Sequence, residues 1–244
     1  MSDQKMVFEF NQDEYTLISF AEYNLIINLV DIKTNYCAKA LIQLQESAIM
    51  NGKKLIHLWE DVWLTKPQQV LFRLHSLLGK NRKIHGRKTK VAKITKPEAD
   101  LFLSENHLQG AVSSRYKLGL FLAEELIAVA TFSALRKMNH TVDYKSIELI
   151  RFAVKGGYTI TGGLSKLIKH VEKALNPDDI MTYADRDWSA GEAYLRLGFE
   201  QTNILKPQHF ELMENLGRKL ITNHAAEYNN TVFNTGSLKF ILKF

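Results

Sequence analysis

Residues 161–168 read TGGLSKLI, two glycines and a serine running directly into an apolar helix pattern. The first backbone N–H groups of a helix lack internal partners and sit at the positive end of its dipole, and glycine lets an anion approach them closely. Thr161, Gly162, Gly163, Leu164, Ser165 and Lys166 are therefore candidates to hold a phosphate or pyrophosphate. The stretch contains neither G-x-G-x-x-G nor G-x-x-x-x-G-K-S/T, so it is not a dinucleotide fingerprint or a P-loop. A tight strand-to-helix turn without a ligand accounts for the same residues equally well.

Other positions have side chains suited to chemistry. In ELIRFAV, strand alternation places Arg151 with Leu149 and Ala153, opposite Glu148, Ile150, Phe152 and Val154. An arginine among apolar neighbours needs an anion, and Asp185, closing the strand pattern IMTYAD, is the nearest reasonable partner. Such a pair either ties two strands together or orients a base at a cleft. Tyr194 in AYLRLGF is a phenol that stays protonated near neutral pH, which suits a general acid and equally suits a core aromatic. His107, with Gln109 in ENHLQG, is a candidate general base or a hydrogen-bonded loop residue. Asp187 and Trp188 in RDWSAG have the chemistry to contact an amine and to stack on a base.

Charge is distributed unevenly. The net charge is +6, yet residues 1–60 hold five Lys/Arg against eight Asp/Glu, so the basic excess lies beyond residue 60. Its densest part, GKNRKIHGRKTKVAKITK at 79–96, contains Arg82, Lys83, Arg87, Lys88 and Lys90 and no acid. That is the electrostatic footprint of a surface for a nucleic-acid backbone, and also of an ordinary solvated face.

These residues must be positioned by a chain of 244 residues, 45% hydrophobic, which is enough for one large domain or two small ones. No apolar run approaches the eighteen residues of a membrane span, and MSDQKMVFEF lacks a leader-type apolar core, so a soluble cytoplasmic protein is expected. Cys37 is the single cysteine, which rules out an intramolecular disulfide, and it reads as a core residue of a helix. No His/Asp/Glu cluster has convincing metal-ligand spacing, so no residue is named as a metal ligand.

The patterns predict an α+β protein in two parts. Residues 1–79 form a small α+β domain with a helix over YCAKALIQLQESAIM, a strand over KKLIHLWEDVW and a helix from Pro67 to Gly79. Residues 80–96 are a basic joint that includes the first strand of the next domain. From 88 to 244 the order is strand, helix, hairpin, strand, glycine turn with helix, strand, short helix and terminal strands. A strand feeding a glycine turn, a helix and another strand is a right-handed βαβ crossover.

That order, the TGGLSK turn and the Tyr194, Gly198, Phe199 pattern resemble the GCN5-related N-acetyltransferase (GNAT) superfamily across about residues 88–213. The resemblance implies a mixed sheet flanked by helices, an acyl-CoA such as acetyl-CoA on Thr161 to Lys166, and Tyr194 as general acid. The turn matches the family's Arg/Gln-x-x-Gly-x-Gly/Ala pattern only loosely. IRFAVKGGYTITGGLSKL, YADRDWSAGEAYLRLGF, ENHLQG and WEDVW further resemble bacteriophage proteins related to Mom-type DNA modification proteins, matched at Arg151, Ser165 and Asp185. Some of those carry a part similar to very-short-patch repair endonucleases. Here that part has Asn28 where an acid is usual, leaving Asp31, Glu60 and Asp61 as remaining carboxylates, so a degenerate, non-cleaving domain is expected. The implied activity is acyl transfer or Mom-like modification of double-stranded DNA in a bacterial host cell. The alternative is a non-catalytic GNAT-fold phage protein that binds DNA or associates with the virion.

Overall fold

The computed structural model describes residues 15–20, 22–138, 141–222 and 230–244, together with the backbone of 7–10. Residues 1–6 and 11–14, part of the stretch read for a leader and for early strands, lie outside the described residues.

Strands β1 (Val7–Phe10), β2 (Thr16–Phe20) and β3 (Leu25–Val30) form an antiparallel meander. Helix α1 (Ala38–Met50) then crosses over to β4 (Lys54–Trp59), which pairs parallel with β3. A parallel pair needs such a crossover, and Asn51-Gly52 ends the helix, with Gly52 at φ +69°. Two expectations are corrected here. Cys37 is exposed and occupies the N-cap of α1 rather than its core. WEDVW does not continue the strand, because Glu60 and Asp61 open helix α2 (Glu60–Thr65), where acids favour the positive helix end.

Helix α3 (Pro67–Leu77) begins on Pro67, whose missing N–H costs nothing in a first turn. The basic segment follows as β5 (Arg82–His85), a 3-10 turn at Gly86–Lys88 and β6 (Lys90–Lys93). Helix α4 (Lys96–Asn106) starts on a reciprocal cap between Thr95 and Glu98. The hairpin β7 (Tyr116–Leu122) and β8 (Glu125–Phe132) turns at Ala123-Glu124. Then come β9 (Arg136–Lys137), β10 (Lys145–Val154), β11 (Tyr158–Thr161), α5 (Gly163–Leu175), β12 (Asp179–Asp185), α6 (Glu192–Arg196) and β13 (Glu200–Leu205). The chain finishes with β14 (His209–Leu212), β15 (Arg218–Leu220), β16 (Thr231–Phe233) and β17 (Ser237–Lys243).

The large sheet has the order β13-β17-β12-β10-β8-β7-β6, with β9 paired to β10. It is mixed, since β10 runs parallel to β12 and antiparallel to β8. The molecule is therefore α+β, built on a large mixed sheet flanked by helices. Helix α4 packs Ala99, Phe102 and Leu103 with Val129 and Ala153 of the sheet. Helix α5 buries Leu164, Leu167, Ile168 and Val171 at helical spacing, each contributing on the order of 1.5–3 kcal/mol.

The chain divides into two compact units, and the division departs from the expected boundary at residue 79. The first comprises Met1–Thr65, Ala184–Glu192 and Asn203–Leu238, and the second Lys66–Tyr183, Ala193–Thr202 and Lys239–Phe244. The basic segment lies within the second unit. In the first unit Val30, Leu41 and Trp59 share a core with Leu212, Val232 and Phe233 of the three-stranded sheet β15-β14-β16. The buried Asp61 carboxylate accepts two bonds from Arg218, at 2.6 and 2.8 Å, and the Arg218 guanidinium lies over the Trp59 and Phe210 rings. Contacts across more than 150 residues leave no local trace, which is why the sequence places this boundary differently.

Candidate functional site

Ser146 to Leu149 of β10 pair in parallel with Asp179 to Thr182 of β12. The ladder then stops, although β10 runs on to Val154 and β12 to Asp185. A bulge in β10 between Leu149 and Arg151, against β8, bends the strand at the same place. The result is a fork in the middle of the sheet. The bulge also breaks the simple alternation expected for ELIRFAV: Ile150, Arg151 and Phe152 are all partly exposed in succession.

The fork is closed by a hydroxyl pair. Thr182 donates from Oγ1 to the Leu149 carbonyl at 2.9 Å, and the Tyr194 hydroxyl hydrogen-bonds with Thr182. The Tyr194 ring is fixed by Phe199 and Phe240, each with its centroid 5.5 Å away. Burial raises the Tyr194 phenol above its ordinary value, opposed by the Thr182 bond and by the positive charges of Arg73 and Arg151. Tyr194 is therefore a protonated donor throughout the neutral range. Thr182 and Arg73 were not found from the sequence; a threonine inside an alternating strand is the only local signal for the first.

Arg151 donates from Nε to the Gly110 carbonyl at 3.2 Å and from Nη1 to its own neighbour Ile150 at 2.9 Å. Lys66, which caps α3, donates to the Leu108 carbonyl at 2.5 Å. The ENHLQG loop is thus held by two cations. His107 lies at the start of this loop, and its Nδ1 accepts the Gln109 N–H at 3.1 Å. Burial, then the charges of Arg151, Arg73 and Lys66, push its pKa from 6.5 to about 3. At such a pKa the ring is neutral near pH 7. The imidazole is neutral but a very weak base, and its unprotonated nitrogen is already engaged, which leaves Nε2–H as a donor.

Asp185 and its neighbours fall in the first unit. Its Oδ1 accepts the Asp187 N–H at 3.0 Å, and its carbonyl accepts from Trp188 and Ser189, so the residue shapes the turn after β12. Asp187 is fully buried and takes the Thr235 N–H at 2.9 Å and hydroxyl at 2.6 Å, while Trp188 is also buried. Neither is exposed for the amine contact or base stacking that RDWSAG suggested. Asp31, Glu60 and Asp61 are each used separately: Asp31 accepts from Lys33 N, Glu60 from Ile32 N and Asp61 from Arg218. Among the described residues no group of three or more His, Cys, Asp or Glu converges.

Gly162 is the N-cap of α5 at φ +73°, and the exposed Thr161 precedes it. No side chain caps this helix and no acid lies in its first turn, in contrast to the Thr95–Glu98 cap of α4. A Cβ on Gly163 would meet the Ile160 side chain at 2.8 Å, so a larger residue would displace the turn. Ser165 is half-buried and Leu164 buried in the first helical turn. The Lys166 ammonium donates to the Gly86 carbonyl at 3.1 Å and to the Thr89 carbonyl.

That bond reveals a proximity absent from the sequence. β5 pairs in parallel with β11, Arg82 opposite Tyr158 through His85 opposite Thr161. The chain next turns at Gly86, where a Cβ would lie 3.0 Å from the Gly162 carbonyl group. The basic segment therefore ends against the glycine turn. Arg82, Lys83, Arg87, Lys88 and Lys90 are all exposed. Gly86, missed in the sequence reading, is what permits the approach, and a glycine between basic residues was its only signal.

No family model matches the chain, and no curated protein matches it. Solved structures to which the chain shows some similarity include acetyltransferases. One is an acetyltransferase from Bacillus subtilis in complex with CoA, 16% identical, covering 64% of this chain and 99% of its own, with a TM-score of 0.42. Another is a GNAT family acetyltransferase from Elizabethkingia anophelis with acetyl-CoA bound, 14% identical over 64% of this chain and 99% of its own, TM-score 0.41. The ribosomal-protein-alanine N-acetyltransferase from Escherichia coli is 16% identical over 64% of this chain and 93% of its own, TM-score 0.43.

Proposed function

We propose that the second unit is a GNAT-type acyl-CoA-dependent transferase whose acceptor is nucleic acid, double-stranded DNA first. The observation that carries the reading is the fork: β10 and β12 part after Leu149 and Thr182, with the Tyr194 hydroxyl at the point of divergence. The residues present fit the donor. The uncapped, acid-free start of α5 has unsatisfied N–H groups suited to its phosphates, and Gly162 and Gly163 let them approach. When bound, an acyl-CoA supplies an activated thioester. The Tyr194 phenol holds the proton that the departing sulfur needs, kept there by burial. Arg151 and Lys66 keep the His107–Gly110 loop in place as one wall for an acceptor. The exposed cations Arg82, Lys83 and Lys90 suit the backbone of a nucleic acid.

Acetyl-CoA should raise the melting temperature by mass action, and Gly163→Glu should abolish the rise. Mass analysis of nucleosides from DNA of cells producing the protein then tests the acceptor. A thermal shift without any modified nucleoside would remove the nucleic-acid half of the reading. No shift at millimolar acetyl-CoA would favour the non-catalytic alternative.

A further inference from the structure

We infer, building on the donor reading above, that Arg87 and Lys88 serve the phosphates of the acyl donor, and that Lys166 is a positioning residue that fastens their turn to the glycine turn. In the sequence the basic segment and TGGLSK lie about seventy-five residues apart and suggest two separate anion surfaces. Three independent contacts make them one. The parallel ladder of β5 and β11 carries His85 to Thr161. Gly86 then packs against Gly162 and Gly163, at a distance where a Cβ would be 3.0–3.1 Å from their backbone. Lys166 finally bonds the carbonyls of Gly86 and Thr89, on either side of Arg87 and Lys88.

The turn is closed on itself as well, since Thr89 donates to the Gly86 carbonyl from N at 3.0 Å and from Oγ1 at 2.7 Å. Arg87 and Lys88 therefore follow directly on Gly86, the residue that packs against Gly162, and their side chains are exposed. The Lys166 ammonium donates to two carbonyls of this loop, those of Gly86 and Thr89. A ligand whose diphosphate met the α5 start would bring any further phosphate of its nucleotide end under Arg87 and Lys88. Arg82 and Lys83, paired farther back along β11, and Lys90, on the sheet-edge strand β6, are left for a polyanionic acceptor.

The test is calorimetric titration with acetyl-CoA, with the melting temperature of every variant recorded. Arg87→Ala with Lys88→Ala should weaken acetyl-CoA by at least about tenfold, the loss expected for charge-assisted bonds. Lys93→Ala with Lys173→Ala removes the same charge at other exposed positions and should change affinity by no more than about twofold. Lys166→Met should weaken acetyl-CoA as the turn variant does, and Lys166→Arg should restore much of it. Gly86→Ala, which pushes the turn off Gly162, should act like Lys166→Met. Wild-type affinity in the turn variant, or in folded Lys166→Met, overturns the inference while leaving the donor reading intact. A wild-type protein that binds no acetyl-CoA overturns both.

Discussion

Thr182 and Leu149 form the last paired rung between β12 and β10, and the Thr182 hydroxyl donates to the Leu149 carbonyl at 2.9 Å. Thr182→Val keeps the side-chain shape but leaves that carbonyl without its donor, which should cost about 1–3 kcal/mol. Tyr194→Phe keeps the contacts with Phe199 and Phe240 and should cost no more than about 1.5 kcal/mol. Transfer should nevertheless fall by roughly 10²-fold or more, since the phenol proton is gone. Urea melts and turnover on the two variants give both numbers. Undiminished transfer in Tyr194→Phe would remove Tyr194 from the chemistry.

His107 should remain neutral to acid pH. Its pKa of about 3 places its protonation far below the neutral range, so transfer should show no loss with a midpoint at the ordinary histidine value of 6.5. An NMR titration of the ring protons checks this directly. A midpoint near 6.5 would restore His107 as a general base.

His57 links stability to pH. It is buried in the first unit, its Nε2 donating to the Leu41 carbonyl at 3.1 Å and its Nδ1 accepting from Asn28 Nδ2 at 3.1 Å. Burial, more than the nearby Arg186, lowers its pKa from 6.5 to about 4, against the raising effect of the Leu41 bond. The unfolded chain therefore takes up this proton first. The contribution is complete above 6.5 and is lost as pH falls towards 4, with a slope of up to about 1.4 kcal/mol per unit. Denaturant midpoints across that window should show the slope, and His57→Gln should flatten it.

The Asp61–Arg218 pair should be costly to break on one side. Arg218→Met leaves a carboxylate with 2% exposure unpartnered and should destabilise the protein by about 3–5 kcal/mol. Asp61→Leu combined with Arg218→Met should recover much of the loss, because no charge is then stranded. Equal destabilisation in the single and double variants would mean that packing on Trp59 and Phe210, and not the ion pair, dominates.

Gly156 is a packing requirement. A Cβ there would lie 2.3 Å from the Phe72 ring, and the Gly156 N–H donates to Asn106 Oδ1 at 2.8 Å. Gly156→Ala should cost about 1–3 kcal/mol, and adding Phe72→Leu should return part of it. Thermal melts of the three proteins test the coupling.

Most elements of the second unit were legible in the sequence because each depends on local chemistry. Thr95, Pro97 and Glu98 write the start of α4 into four residues, and Leu164, Leu167, Ile168 and Val171 mark the buried face of α5 by spacing alone. The hairpin, expected to turn near Glu124 and Glu125 and found to turn at Ala123-Glu124, and the glycine turn at Gly162 are equally local. What only the tertiary structure decided is which of these local features share a place. RKIH did not read as a strand, since its exposed charges hide a pairing with YTIT more than seventy residues later. Nothing in TGGLSK shows that the Lys166 ammonium meets the Gly86 and Thr89 carbonyls, and nothing in ENHLQG shows that Arg73, Arg151 and Lys66 surround His107. The bulge after Leu149 is likewise invisible in ELIRFAV, where alternation continues without a break. Helix starts, turns and apolar stripes follow from interactions among near neighbours, whereas the state of a charged side chain depends on long-range neighbours that only the folded chain supplies.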